Sequence, residues 1–197
     1  HVRSRRQRQM CIRDRCDTID IVYGDMKYDE TKTPKYTFER YKVTYSCERS
    51  KLPDKSAPPL PGNKFPPINA FAVYKTKVIW DETGSNWKNP RTDGNNATYE
   101  KQLIADYIDD LVFLPIDDEG KLIDPPPTVN NATKDKLYKI KTVDIALSIR
   151  STKKFYRSDK DRTKFTLNNP LRKKTRNDKY FRETIVVTAH ARNMGTL

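Results

Sequence analysis

The sequence predicts an α+β fold, a mostly antiparallel β-sheet with one short helix and long proline-rich loops. Three observations carry that expectation. Lys141 to Arg150 reads KTVDIALSIR, a strict two-residue alternation of apolar and polar side chains, which is the period of a half-buried strand. Thr98 to Asp110 places Leu103, Ile104, Tyr107 and Ile108 at helical spacing behind a capping threonine. Residues 50–67 hold six prolines and one glycine, a composition that excludes a central strand because proline has no amide to donate to the ladder.

The central strand is read with Val143, Ile145, Leu147 and Ile149 on the core side and Asp144, Ala146, Ser148 and Arg150 toward water. Thr184 to Ala191 (TIVVTAHA) is its natural neighbour in the sheet. Earlier strands are expected at Asp17 to Tyr23, Tyr36 to Cys47 and Asn69 to Trp80, each rich in β-branched and aromatic residues. Asp81-Glu82-Thr83-Gly84 reads as a turn, and the stretch from there to Asn96 as loop. The helix at Thr98–Asp110 then leads into a short strand, Leu111 to Ile116. Asp117 to Gly120 follows as a hairpin turn, and residues 124–136 as polar, proline-rich loop.

A chain of 197 residues suits a single domain, here residues 17–197 behind a basic tail of residues 1–16. The net charge of +13 is unevenly placed. Residues 1–15 carry six arginines against one aspartate, and residues 151–182 carry twelve basic groups against three acidic ones, while residues 16–150 are close to neutral with twenty against twenty-one. Within the tail, MCIRDR (Met10–Arg15) resembles a translated sequencing adapter, so residues 1–15 are set aside from the fold argument. No run of eighteen apolar residues is present, so nothing in the sequence reads as a membrane-spanning helix. Of the three cysteines, Cys11 falls in the tail; a Cys16–Cys47 bridge and two free thiols both stay open.

The inventory for catalysis is thin, and the chain is read as a non-enzyme without a cofactor. His190 is the one histidine outside the tail, and it sits in mid-strand. The six glycines are scattered, so no phosphate-cradling loop forms. Asp117, Asp118, Glu119 and Asp124 offer oxygen ligands of the kind calcium takes, without EF-hand spacing. Asp106, Asp109 and Asp110, a second cluster that a bound cation could relieve, are expected at the exposed end of the helix. In the loop 151–182, Lys153, Lys154, Arg157, Arg172, Lys173, Lys174 and Arg176 alternate with Phe155, Tyr156 and Phe165. The first expectation is a solvated loop joining two strands; the mixture can also follow a phosphate backbone and stack bases, which makes DNA or another anionic surface the alternative partner class. The sequons at Asn96 and Asn131 are discounted as chance matches.

Taken in order, six blocks resemble the globular part of W-type minor pilins of type IV pili and, more distantly, J-type pseudopilins of type II secretion. They are TIDIVYGD (Thr18–Asp25), YKVTYSC (Tyr41–Cys47), FAVYKTKVIWDETG (Phe71–Gly84), LIADYIDDLVFLP (Leu103–Pro115), VDIALSIRS (Val143–Ser151) and TIVVTAHARN (Thr184–Asn193). The order of the blocks and the closing Arg192-Asn193 carry the specificity. The resemblance implies a pilin-like globular domain that joins other pilin or minor pilin subunits. It also implies a precursor held in the inner membrane by an N-terminal apolar helix and later found in a periplasmic or extracellular filament. That leader and helix are not among these residues. The alternative expectation is a basic nucleic-acid-binding module acting through residues 151–182.

Overall fold

A computed structural model describes residues 16–124, 126–127, 134–165 and 173–191, without the side chains of residues 134, 163–165, 173 and 174. Strand accounts for 59% and helix for 2%, so the α+β expectation is overturned in favour of a β-rich, mostly antiparallel fold. The described helix is one turn, α1 (Lys134–Leu137). Two compact units divide the chain. One is Thr18–Asp106; the other runs from Tyr107 onward and includes Cys16 and Asp17.

In the first unit β1 (Ile19–Tyr28), β2 (Tyr36–Arg49) and β3 (Phe71–Asp81) pair antiparallel in sequence order. A two-residue strand, β4 (Asn86–Trp87), returns along β3 with Trp80 opposite Trp87. Tyr41, Val43, Phe71 and Val73 are buried on one face. The proline-rich connection doubles back on itself instead of wandering: the Asp54 amide donates to the Pro66 carbonyl at 2.7 Å and the Ile68 amide to Leu52 at 2.8 Å. These contacts deliver Ile68 and Ala70 to the core.

In the second unit β5 (Tyr99–Ile116, its first half belonging to the other unit) pairs with β6 (Thr142–Lys154), and β6 pairs with β9 (Tyr180–His190). The basic segment between β6 and β9 contains an antiparallel ribbon, β7 (Lys160–Phe165) with β8 (Lys173–Asp178). Phe155 and Tyr156 amides both donate to the Lys179 carbonyl, closing the base of that excursion.

The helix expected at Thr98–Asp110 is strand instead. Helical spacing would place Ile104 and Ile108 on one face, yet Ile108 is fully buried and Ile104 is 51% exposed. Pairing with a neighbouring strand overrides local propensity here. Thr98 ends a turn, its hydroxyl donating to Asp93 at 2.6 Å, before β5 begins. A register shift between Ile108 and Asp110 marks a bulge. Such an extra residue interrupts the alternation of faces, and Ile108, Asp109 and Asp110 are consecutively buried. The two aspartates therefore do not cap an exposed helix end.

The facing of β6 also differs from expectation. Ala146, Ser148 and Arg150 are the buried set, whereas Val143, Ile145, Leu147 and Ile149 are only partly covered. Ser148 shares a 2.6 Å hydroxyl contact with Thr184 of β9, which satisfies a polar group that burial would otherwise penalise.

These placements separate strand from helix by mutation. Ile108→Ala is expected to lower unfolding free energy by about 2–5 kcal/mol. Ile104→Ala is expected to stay within about 0.5 kcal/mol, measured by urea denaturation. Equal losses at both positions would restore the helix.

Candidate functional site

The basic segment and the acidic end of β5 meet in a buried charge cluster. Arg182, on β9 and largely shielded from water, bonds Asp178 through both terminal nitrogens at 2.8 and 2.6 Å. Its Nε lies 3.5 Å from Asp109, and Arg176 of β8 lies 3.6 Å from the same carboxylate. Arg150 is 4% exposed and stacks over the Tyr180 ring at 4.1 Å, with Tyr107 5.8 Å away. Burial alone would raise the Asp178 carboxyl. The Arg182 hydrogen bonds and the Tyr180 amide outweigh it and hold the group below the ordinary aspartate value. Burial likewise works against the Arg182 charge, and Asp178 with Asp109 reverses that effect.

This cluster divides the sequence-predicted basic residues. Arg176 is drawn inward to Asp109, so its charge is compensated within the fold. Lys153, Lys154 and Arg157 are exposed, beside the exposed ring of Phe155. Lys173 and Lys174 stand on β8, their side chains outside the description, and Arg172 lies outside the described residues. Arg162 covers the Tyr156 ring at 3.7 Å.

The acidic hairpin is occupied by its own chain. Asp117 Oδ1 accepts the amides of Glu119 at 3.0 Å and Lys121 at 2.7 Å, and Glu119 pairs with the Lys121 ammonium at 2.5 Å. Asp118 and Asp124 are exposed. Among the described residues no three acidic, histidine or cysteine groups gather closely enough to hold a metal. An open cleft of about 520 Å³ lies at the β1–β2 turn. Four of its charged lining groups are paired with one another, Lys27 with Glu39 at 2.8 Å and Lys32 with Asp29 at 3.3 Å.

A further surface has no counterpart among the sequence expectations. Trp80 and Trp87 meet edge to face with ring centres 5.0 Å apart. Arg40 lies 5.9 Å from the Trp80 ring and Lys42 Nζ 5.2 Å from the Trp87 ring. The available signal was two tryptophans flanking a Gly84 turn, which is the pattern of a cross-strand pair.

Cys16 and Cys47 are both disulfide-bonded, which resolves the cysteine question toward oxidation. Such bonds persist in oxidising compartments. No family model, curated protein or solved structure matches the chain.

Two measurements test the charge cluster. Arg182→Gln leaves the buried Asp109 with Arg176 alone and removes both guanidinium bonds to the half-buried Asp178, and is expected to cost about 3 kcal/mol in chemical denaturation. Asp178 is held below its ordinary value, so its contribution is complete above about pH 4 and fades as pH falls through the lower folded value. Asp178→Asn is expected to lose stability at pH 7 and to show a shallower decline below pH 4 than the parent chain.

Proposed function

We propose that the chain is a structural subunit, minor pilin-like, that helps to initiate, cap or decorate a type IV pilus-type filament or a type II secretion pseudopilus. The ordered sequence blocks support this reading, as do the oxidised cysteines, which suit a periplasmic or extracellular site. Arg192 and Asn193, the last element of the resemblance, lie outside the described residues.

One observation carries the proposal. Ile185 and Val187 of β9 are 50% and 56% exposed, and in the register they stand opposite Leu147 and Ile145 of β6. The alternating apolar row of β6 thus continues into open β-branched side chains on β9. Contiguous apolar surface of this kind marks a contact with another protein more often than a solvated face. The mechanism is assembly: neighbouring pilin or minor pilin subunits cover the row, and the precursor reaches them from the inner membrane. A second reading, anion or DNA binding through residues 151–182, draws on the exposed Lys153, Lys154, Arg157 and Phe155.

Filament incorporation tests the first reading. With Ile185→Lys and Val187→Lys together, recovery of the subunit in sheared filaments is expected to fall at least tenfold while its circular dichroism is unchanged. Undiminished recovery would reject assembly through this face. Independent sequence upstream of the Asp17 codon is expected to encode a leader and about 20 apolar residues.

A further inference from the structure

The tryptophan face of the first unit has a chemistry that assembly does not use. Antiparallel partners share a face, so Gly24 with Arg40, Met26 with Phe38, and Tyr28 with Tyr36 present one surface of the β1–β2 hairpin. Lys42 stands on the same surface opposite Val78, and Trp80 and Trp87 extend it across β3 and β4. Tyr36, Phe38 and Arg40 are exposed. Same-face residues follow one another along β2 at about 6.8 Å, twice the strand rise. Aromatic and cationic groups therefore succeed each other in a row that an extended polymer can track.

Gly24 makes room for the Phe38 ring. A Cβ there would run into the Phe38 ring, which rests over the glycine. Two acidic groups on these strands are engaged: Asp20 accepts the Thr44 hydroxyl at 2.5 Å, and Glu48 is held by Lys101 at 2.5 Å; Glu82 is exposed in the turn between the two tryptophans. Phe38 and Arg40 are exposed, and Lys42, Trp80 and Trp87 are half-exposed beside them.

We propose that this face binds single-stranded nucleic acid, with bases stacked on Phe38, Trp80 and Trp87 and phosphates drawn to Arg40 and Lys42. Aromatic faces accept any base and cations follow the backbone, which gives sequence-tolerant, salt-dependent binding. A duplex hides its base faces in its own stack and meets only the cations. A neutral glycan stacks on rings without needing the two charges. The site differs from the basic segment 151–182 and does not depend on the chain being a filament subunit.

The test uses a fluorescein-labelled 12-nucleotide oligothymidylate with the full chain, read by anisotropy and by intrinsic tryptophan emission. Trp80 and Trp87 are the two tryptophans of the sequence, so quenching reports this face. Binding is expected to quench that emission. Its logarithmic salt slope is expected to fall by about 0.7 for each of Arg40→Gln and Lys42→Gln. Phe38→Ala is expected to weaken binding about tenfold; it and Arg40→Gln alter exposed side chains, so folding is retained and checked by circular dichroism. Lys153→Gln with Arg157→Gln is expected to leave affinity unchanged. The proposal is overturned by absence of binding at low salt, by loss of binding only in the Lys153/Arg157 variant, or by equal affinity for a duplex. Tighter binding of an acidic polysaccharide, or self-association that buries the tryptophans and excludes the oligonucleotide, overturns it too.

Discussion

Asp109 is the constraint around which the second unit is built. A carboxylate inside a sheet must be compensated by a cation and hydrogen bonds or be driven to neutrality. The cations reaching it, Arg176 and Arg182, come from β8 and β9, some seventy residues further along the chain. The strongly basic stretch is therefore partly an internal component of the fold. Its ribbon is tied down by the same charges that make the sequence look like a nucleic-acid tail. Asp178 completes the arrangement by holding Arg182 from its other side.

Alternation in the sequence located the strands at Tyr36–Arg49, Phe71–Asp81 and Thr142–Lys154 well, because side-chain period follows directly from the pleat. Alternation names two faces without saying which one is covered. For β6 the covered face holds Ser148 and Arg150, and their partners Thr184 and Tyr180 come from a distant segment that local reading cannot supply. At Tyr99–Asp110 the spacing of Leu103, Ile104, Tyr107 and Ile108 satisfies a helical template, and the bulge that explains Asp109 and Asp110 leaves no local signature. The tryptophan surface was illegible for a similar reason. By local pattern Trp80 ends a strand and Trp87 falls in a loop, and only their register brings them together with Arg40 and Lys42.

The two units offer surfaces of different character. On the second, β-branched side chains of β9 extend an apolar row, a surface suited to burial against protein. On the first, rings stand beside the cations Arg40 and Lys42, a surface whose chemistry suits an anionic, stackable ligand.

The pairing order carries a consequence for biogenesis. In the first unit β1, β2, β3 and β4 each pair with the next strand in sequence, so its contacts are comparatively local and their loops cost little entropy to close. In the second unit Asp109 waits for Arg182, and β6 waits for β9 across the whole ribbon. Non-local closure of this kind slows folding. During synthesis Thr18–Asp106 can fold while the rest is still being made. Until residue 182 emerges, a nascent chain carries Asp109 without its cations, and this interval is when it most needs protection from aggregation.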